Sequence, residues 1–256
     1  MDTEKLRSLF DMTGRVVVVT GGTRGIGRAL AEGYVAAGAR VAVASRKAEA
    51  CEETATHLRS MGGEAIGVPT HVGDVDDLAR LVDVTVDAFG GIDVVVNNAA
   101  TALAQPVGDY TVEAWEKSMA VNLRGPVFLT QAAIPHLEKS EHAAVLNILS
   151  GSAFMFSSFV SMYGIGKAGL LSATRSAAAE LAPKGIRVNA MAPGTVDTDM
   201  VRANTDEMQQ VMSEIMLLKR MASADEMVGP ALLLTSDAGS FITGQVLLVD
   251  GGMVPH

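Results

Sequence analysis

A chain of 256 residues with 48% hydrophobic and 19% charged residues has the length and composition of a globular α/β protein with one core. Its formal net charge of −9 argues against a nucleic-acid partner, because affinity for phosphate backbones depends on clustered Lys and Arg. The apolar runs fall short of the roughly 20 residues that span a membrane, so we expect no membrane partner.

The cysteine and histidine content bears on compartment and metals. The single cysteine, Cys51, cannot form an intramolecular disulfide, and residues 1–14 contain scattered charges but no apolar signal region. We therefore expect a cytoplasmic protein. The five histidines show no HExxH pattern and have no further cysteines beside them, so no metal site is expected.

Seven Val-rich apolar runs recur along the chain, separated by segments with helical periodicity. Continuous apolar runs are typical of strands buried on both faces of a sheet. Alternating strands and helices predict a single α/β domain over residues 1–256, a doubly wound sheet of about seven parallel strands with helices on both faces. The predicted strands are 15–21, 40–46, 64–72, 93–100, 143–150, 187–193 and 245–252.

Two long helices and one insert complete the predicted map. Helical patterns cover residues 111–138 and 161–182, whereas 194–222 is longer than an ordinary connection. A long insert in a compact domain is usually a binding loop or a lid, so we predict a substrate lid at about 194–222. A methionine at every fourth position there fits either a flexible lid or a subunit contact. These methionines are Met208, Met212 and Met216.

The first strand runs into the glycine-rich stretch TGGTRGIG, residues 20–27, which an amphipathic helix follows. Glycines allow a tight turn and a close approach of the backbone to a phosphate, and a helix N-terminus supplies N–H groups and partial positive charge. The spacing Gly21-x-x-x-Gly25-x-Gly27 differs from the GxGxxG fingerprint, so a purely structural turn stays open. Its place after the first strand favours a phosphate site.

The stretch YGIGK places Tyr163 and Lys167 four residues apart, where side chains of one helix are neighbours. A free tyrosine, with a pKa near 10, transfers protons poorly at neutral pH, and a nearby ammonium group favours the phenolate and lowers that pKa. The pair therefore fits a group that passes a proton to a carbonyl being reduced. A surface pair of Tyr and Lys satisfies the same spacing.

Together these motifs resemble the short-chain dehydrogenase/reductase family. The glycine pattern, NNAA at 97–100, the Tyr-x-x-x-Lys pair and PGTVDTDM after the sixth strand occur in the family's order over essentially the whole chain. The resemblance implies a Rossmann-type fold and an NAD(P)-dependent oxidoreductase that interconverts a ketone or aldehyde and a secondary alcohol. It implies a catalytic tetrad in which Ser150 polarises the carbonyl and Asn122 holds a relay water. The tetrad is Asn122, Ser150, Tyr163 and Lys167.

The resemblance also implies where the cofactor binds. NAD-specific folds place Asp or Glu at the end of the second strand, whereas here Ser45 and Arg46 stand there with Arg24 close by, so NADP(H) is expected and NAD(H) is the alternative. Ala100 replaces the usual last glycine of NNAG. His71 stands where many relatives have an aspartate, which leaves the Val72 backbone for the adenine. The implied cofactor-binding residues are Gly21, Thr23, Arg24, Gly25, Ile26, Gly27, Ser45, Arg46, His71, Val72, Asn98, Ala99, Ala100, Tyr163, Lys167, Pro193, Gly194, Val196 and Thr198.

A small-molecule substrate and a homotetramer are the expected partners. Relatives pair the helices matching 111–138 and 161–182 across one dyad and the final strand region across another. Here the second helix is rich in small residues and the segment 245–256 is largely apolar. Left exposed, these surfaces would form unusually large apolar patches.

The substrate is assigned by elimination among family members. Reductases of β-ketoacyl carrier proteins place arginines near the active-site mouth, where this chain has Pro135 and Ala179 and a net charge of −9. An acidic carrier needs a basic docking surface, so a free, moderately hydrophobic ketone or secondary alcohol is favoured over a carrier-bound thioester, with glucose or gluconate third. A catalytically silent nucleotide-binding sensor is the non-enzyme alternative, and such a protein would be expected to lose Tyr163 or Lys167.

Aromatic and apolar side chains follow Ser150 in the sequence. They fit either a wall of the substrate pocket or a hydrophobic loop packed on the core. These residues are Phe154, Met155, Phe156 and Phe159.

Overall fold

The computed structural model of the chain describes residues 1–254, so the last two residues of the predicted domain and C-terminal contact segment lie outside the described residues. Within them, seven strands form one sheet in the order β3-β2-β1-β4-β5-β6-β7, and all neighbouring pairs are parallel. The predicted doubly wound α/β fold is confirmed. The strands are β1 Val16–Thr20, β2 Arg40–Ser45, β3 Ala65–Pro69, β4 Val94–Asn97, β5 Ala144–Ile148, β6 Arg187–Pro193 and β7 Val246–Val249.

Helices connect the strands and cover both faces of the sheet. Alternate residues of a strand point to opposite faces. In β1, Val17 and Val19 pack into one apolar cluster with Leu30, whereas Val18 packs into another with Leu129. The helices are α1 Thr3–Ser8, α2 Gly25–Ala36, α3 Ala48–Ser60, α4 Val75–Phe89, α5 Val112–Met119, α6 Gly125–Leu137, α7 Ser161–Leu181, α8 Asp199–Arg202, α9 Asp206–Glu214 and α10 Val228–Thr235.

The single helix predicted over 111–138 is wrong in one respect, because a π-helical turn at Ala120–Arg124 separates α5 from α6. Pro126 has no N–H to donate to the carbonyl of Asn122, four residues earlier, so the α-helical ladder is interrupted there. The Gly125 N–H donates instead to the carbonyl of Ala120. Single π-helical turns inside α-helices are frequent at functional sites.

The two ends of the insert at 194–222 lie next to each other. A parallel bridge joins Val196 to Ala222, and the Asp197 N–H donates to the Ala222 carbonyl at 2.9 Å. Between these ends the segment has only the short helices α8 and α9. It is therefore a loop closed at its base.

Within residues 1–254, neither a membrane-spanning helix nor a metal-binding cluster of side chains is present. Each helix within residues 1–254 is either too short or too polar to span a lipid bilayer. In the same part of the chain, no three His, Cys, Asp or Glu side chains are arranged to hold a metal ion.

Candidate active site

The predicted site residues meet along the carboxyl edge of the sheet. The glycine loop follows β1, Arg46 follows β2, and His71 follows β3. Asn98 follows β4, Ser150 follows β5, and the insert follows β6. Open parallel sheets bind ligands outside the carboxyl ends of their strands, and here the sequence order of the strands changes direction beside β1.

The glycines of this loop lie too close to neighbouring atoms, or have backbone angles too unusual, for other residues to replace them. Gly21 and Gly25 have φ angles of +64° and +52°, in the left-handed region that favours glycine. A methyl group at Gly27 would lie 2.3 Å from the Gly21 carbonyl oxygen and 2.4 Å from Asn98 Nδ2. The three glycines of the motif therefore let the loop fold tightly over the end of β1.

Asn98 and Thr20 clamp this loop to the end of β4. Asn98 Nδ2 donates to the carbonyls of Thr20 and Gly21 at 2.9 and 3.2 Å. Thr20 Oγ1 accepts from the backbone N–H groups of Asn98 and Ala99 at 3.0 and 3.1 Å. The side chain of Asn98, an expected cofactor-binding residue, thus holds the glycine loop, together with Thr20, which lies outside the expected set. Its place at the head of TGGTRGIG was the available signal.

A second feature, besides the glycines, suits this loop to binding a dinucleotide phosphate. Helix α2 begins at Gly25, and among residues 1–254 no side chain caps its first N–H groups. Those donors and the helix dipole are therefore free for an anion. The other predicted residues of this stretch are less free, because Thr23 is half-buried and Ile26 packs against the core.

Two exposed arginines follow the ends of β1 and β2. Ser45, at the end of β2, is half-buried, and Arg46 after it is exposed. Arg24 is also exposed, and its guanidinium lies 3.9 Å from the Asp199 carboxylate of the insert. A solvent-exposed pair at that distance contributes little stability, so Arg24 can exchange this partner for a phosphate.

The catalytic candidates Ser150, Tyr163 and Lys167 lie together. Ser150 follows the end of β5, and Tyr163 and Lys167 lie in the first two turns of α7. Lys167 is only 1% exposed, and its Nζ donates to the Ile148 carbonyl at 2.6 Å. That Nζ also lies 5.5 Å from the centre of the Tyr163 ring. An exposed surface pair is therefore excluded for Tyr163 and Lys167, because the ammonium is buried beneath the phenol.

Burial dominates the protonation of both groups. It raises the pKa of Tyr163 above its usual 10, and the hydrogen bond with the Ser150 side chain partly opposes this rise. The pKa of Tyr163 is thus shifted in the direction opposite to the one expected from Lys167 alone. Burial also lowers the pKa of Lys167, to about 8. At neutral pH the Tyr163 phenol is therefore protonated. The Lys167 ammonium loses its proton at a lower pH than an ordinary lysine, because its pKa is about 8.

Asn122 lies in the π-helical turn and is fully buried. Its Nδ2 donates to the Thr101 carbonyl at 2.8 Å and to Ser118 Oγ at 3.1 Å, and its Oδ1 accepts from the Thr101 N–H at 3.0 Å. The amide therefore fixes the start of the loop after β4. Pro126 has no N–H and cannot donate to the Asn122 carbonyl four residues earlier.

The loop after β4 is fixed at two more points that the sequence did not reveal. The Gln105 N–H donates to the Phe159 carbonyl at 2.8 Å, and the Tyr110 hydroxyl hydrogen-bonds Ser161 at the start of α7. These contacts join two loops that follow neighbouring strands. No local pattern signals them, because the partners are about 50 residues apart.

Residues predicted on the adenine side and on the insert differ in what they can offer. His71 is exposed and its N–H donates to Asp77 Oδ2 at 2.8 Å, whereas Val72 is half-buried. Pro193 and Val196 are buried, so their side chains belong to the core. Ala99, Ala100, Gly194 and Thr198 are half-buried.

The insert begins directly against the glycine loop. A methyl group at Gly25 would lie 3.1 Å from Thr198 Cγ2, the residue just before α8. Both segments therefore border the same cleft at the carboxyl edge.

Known proteins resemble this chain over nearly its whole length. A family model described as enoyl-(acyl carrier protein) reductase matches residues 20–254. Human dehydrogenase/reductase SDR family member 4 is 35% identical over 94% of this chain and 88% of its own length. L-rhamnose 1-dehydrogenase (NAD(P)(+)) of Azotobacter vinelandii is 36% identical over 93% of this chain and 96% of its own length.

A solved structure adds a comparison in three dimensions. It is a short chain dehydrogenase from Burkholderia cenocepacia J2315 in complex with NADP, 32% identical to this chain. The match has a TM-score of 0.90 and covers 94% of this chain and 98% of that one.

Proposed function

Because this chain belongs to the short-chain dehydrogenase/reductase family, we propose that Tyr163, Ser150 and Lys167 are its catalytic residues, in one nucleotide-binding domain over residues 1–256. It is an oxidoreductase that acts on CH–OH groups and uses NAD(P). The position of the Tyr163 ring, with its centre 5.5 Å from the buried Lys167 Nζ, carries the proposal of roles, and Ser150 is close enough to act on the Tyr163 pKa. This trio joins a proton donor, a hydrogen-bond donor and a cation at one point.

Each residue has a distinct part in the chemistry. When bound, the nicotinamide cofactor supplies or accepts the hydride. Tyr163 donates its proton to the substrate oxygen during reduction and removes it during oxidation. The Ser150 hydroxyl donates a hydrogen bond to that oxygen as negative charge develops. Lys167 favours the phenolate by its charge, and Asn122 holds the loop at Thr101 and the relay water at its carbonyl.

NADP(H) is the preferred cofactor and NAD(H) the alternative. The end of β2 carries Ser45 and Arg46 in place of the carboxylate that binds a ribose 2′-hydroxyl in NAD-specific proteins. Arg24 adds a second exposed guanidinium from the glycine loop. The bound NADP named for the related structure supports this choice.

The substrate is a free, moderately hydrophobic ketone or secondary alcohol, and residues 194–222 are its lid. Apolar side chains are exposed on the lid and on the loop after Ser150, which suits an adaptable apolar site. On the lid, 76% of Leu217 is exposed, and on the loop 87% of Phe156. The further exposed members are Met200, Met208, Val211, Ile215, Leu218, Phe154 and Phe159.

Two other substrate classes have specific support. The matching family model is described with a carrier protein, and one relative is named for a sugar, L-rhamnose. Against the carrier protein, Pro135 and Ala179 lie exposed on α6 and α7 where docking arginines would be expected. Against sugars, the exposed apolar rim offers few hydrogen-bond partners for hydroxyl groups.

The test is NADPH oxidation by the purified protein with a panel of free ketones, acetoacetyl carrier protein and, in the reverse direction with NADP, L-rhamnose and gluconate. We expect the highest kcat/KM with a ketone of moderate size. A carrier-protein kcat/KM well above every free ketone, falling steeply with added salt, would overturn the substrate class. No turnover with any compound would favour the catalytically silent sensor.

A homotetramer is the proposed assembly. Apolar side chains are exposed on α6 and α7, including Phe128 and Ile165, and Phe241 near β7 is fully exposed. β7 is also an edge strand of the sheet, whose free backbone groups favour pairing or cover. Sedimentation of a stable monomer at micromolar concentration would contradict this assembly.

A further inference from the structure

The first end of the lid rests on the turn that follows β7. A methyl group added at Gly194 would lie 2.8 Å from Asp250 Cα and 2.8 Å from its carbonyl oxygen. The Gly194 N–H also donates to the Val249 carbonyl at 3.1 Å. The lid therefore leaves the sheet in direct backbone contact with this turn.

The second end of the lid rests on the same turn. The Leu218 N–H donates to the Gly251 carbonyl at 3.1 Å. A methyl group at Gly252 would lie 2.7 Å from Leu217 Cδ1, so the leucine side chain covers the glycine backbone. Both ends of the lid thus depend on residues 250–254, which we name the C-terminal turn.

The other face of the C-terminal turn supports the loop that carries Ser150. A methyl group at Gly151 would lie 2.8 Å from Met253 Cε and 3.4 Å from Val254 Cγ2. Val254 is buried and Met253 half-buried. Gly151 follows Ser150 directly. A movement of the C-terminal turn that displaces Gly151 would therefore also displace the catalytic serine.

A single carboxylate shapes the turn. Asp250 is buried, and it accepts from the Gly252 N–H at 2.9 Å and from the Val254 N–H at 2.8 Å. Gly251 and Gly252 have φ angles of +62° and +82°, a conformation that other residues rarely adopt. Hydrogen bonds from backbone N–H groups to a carboxylate are stronger than those to a neutral acceptor, so Asp250 defines this turn.

The lid end held by the turn contains local strain. Lys219, next to Leu218, has a φ angle of +53° without being glycine. Such conformations persist only where the surroundings impose them. The hydrogen bond from Leu218 to the turn is adjacent to this strained residue and helps to impose it.

We propose that Asp250 is a positioning residue, which shapes the C-terminal turn and through it holds both the substrate lid and the Ser150 loop in their working positions. The kinetic part rests on the proposed function. The structural part does not, because it concerns the coupled mobility of two segments far apart in sequence. The insert meets the glycine loop at Thr198 and Asp199, whereas Asp250 supports the insert at Gly194, so NADPH affinity should change much less than kcat/KM.

The test compares Asp250→Asn with a matched control, Asp93→Asn. Asparagine keeps the shape of the side chain but retains one oxygen acceptor in place of two. Asp93 also accepts from a backbone N–H, that of Val16 at 2.7 Å, and from Ser140, but at the opposite edge of the sheet. Loss of a carboxylate acceptor is thus common to both variants, and only one of them lies beneath the site.

Hydrogen exchange gives the first readout. For Asp250→Asn, amides of 194–222 and 151–160 should exchange at least about fivefold faster, while those of 20–27 keep their rate. In the control Asp93→Asn, the amide exchange rates of these three segments should keep their wild-type ratios. Unchanged exchange in the lid and the Ser150 loop, or equal acceleration in the control, would overturn the proposal.

Kinetics give the second readout. Asp250→Asn should raise KM for the ketone and lower kcat, reducing kcat/KM roughly tenfold, while Kd for NADPH changes less than about twofold. A kcat/KM equal to that of Asp93→Asn would overturn the proposal. If the wild type reduces no ketone, the proposed function fails, and hydrogen exchange alone decides the role of Asp250.

A second variant covers the case in which Asp250→Asn does not fold. Met253→Ala keeps the Asp250 hydrogen bonds and removes the methionine side chain behind Gly151. It should accelerate exchange in 151–160 and lower kcat while exchange in 194–222 and KM keep their wild-type values. No change in 151–160, or equal acceleration in both segments, would contradict transmission through the turn.

Discussion

The cofactor side and the substrate side of the cleft are stabilised in different ways. On the cofactor side, Asn98 and Thr20 hold the glycine loop through part-buried hydrogen bonds to the backbone, and Gly27 packs where even a methyl group does not fit. On the substrate side, the lid exposes apolar side chains and includes Lys219 in a strained conformation. Local stability follows buried contacts, so the cofactor side should be rigid and the lid mobile.

Breaking the rigid side should weaken the binding of NADPH. Gly27→Ala places a methyl group 2.3 Å from the Gly21 oxygen, a backbone atom that can move only if the loop moves. We expect NADPH affinity to fall about 10- to 100-fold, since overpacking of this kind costs roughly 1–3 kcal/mol. Titration of NADPH by fluorescence measures it. Gly229→Ala in α10, where a methyl group meets nothing within 4 Å, should bind NADPH like the wild type.

Removing the buried cation should lower the activity but raise the free energy of unfolding. Lys167→Met should lose at least about 100-fold in kcat, as expected for lost acid–base catalysis. Its free energy of unfolding at pH 7 should exceed that of the wild type by up to about 3 kcal/mol, because burial lowers the Lys167 pKa from 10.5 to about 8. Loss of the hydrogen bond to the Ile148 carbonyl offsets about 1 kcal/mol of this gain.

The pH dependence of that difference has a definite sign. Below pH 8 Lys167 is protonated in both the native and unfolded states, and its buried charge destabilises the native state in full. Between about pH 8 and 10.5 only the unfolded state keeps the proton, so wild-type stability rises relative to Lys167→Met. Urea unfolding at pH 7 and pH 10 measures the difference. A difference that grows at pH 10 would contradict the burial of a charged Lys167.

Changing the end of β2 should alter the choice between NADPH and NADH. Ser45→Asp with Arg46→Ala places a carboxylate where the ribose 2′-hydroxyl binds and removes one cation. The ratio of kcat/KM for NADPH over NADH should fall about 100-fold, since a charge-assisted hydrogen bond contributes roughly 1.5–3 kcal/mol. Lys47→Ala, which removes the next exposed cation, should change this ratio little. A wild type that prefers NADH would refute the assignment.

The smallest effect should come from the mobile side. Met208→Gln replaces an apolar side chain that is 49% exposed on α9. KM for bulky apolar ketones should rise about two- to fivefold, on the order of 1 kcal/mol or less, while KM for small ketones stays unchanged. Val84→Ser on the exposed face of α4 should alter neither. Equal changes for small and bulky ketones would exclude α9 as part of the substrate site.

The same contrast explains what the sequence could predict. The glycine loop and the pair Tyr163 and Lys167 are local patterns, so their geometry can be predicted from the spacing of their residues in the sequence. The direction of the Tyr163 pKa shift depends on burial, which spacing does not report. The contacts of Asn98 with the glycine loop and of Gly194 with Asp250 join residues more than 50 positions apart, so no periodicity reports them either.

One missed feature was readable in the sequence. Pro126 lies inside the helix predicted over 111–138, and proline cannot donate to the carbonyl four residues earlier. An interruption of the helical hydrogen bonds near Asn122 could therefore have been predicted, although α6 continues through a second proline, Pro135. The positive φ angles of Phe159 and Lys219 could not, because neither residue favours that conformation and only tertiary contacts impose it.

The most direct test of the central claim, that the Tyr163 phenol transfers the proton in a ketone reduction, is a paired measurement on Tyr163→Phe. Steady-state NADPH oxidation with the best ketone of the panel gives kcat, and fluorescence titration gives Kd for NADPH. We predict that kcat falls at least about 100-fold while Kd changes less than about threefold, because only the reacting hydroxyl is lost. A Tyr163→Phe protein that keeps more than about a tenth of wild-type kcat would contradict the claim.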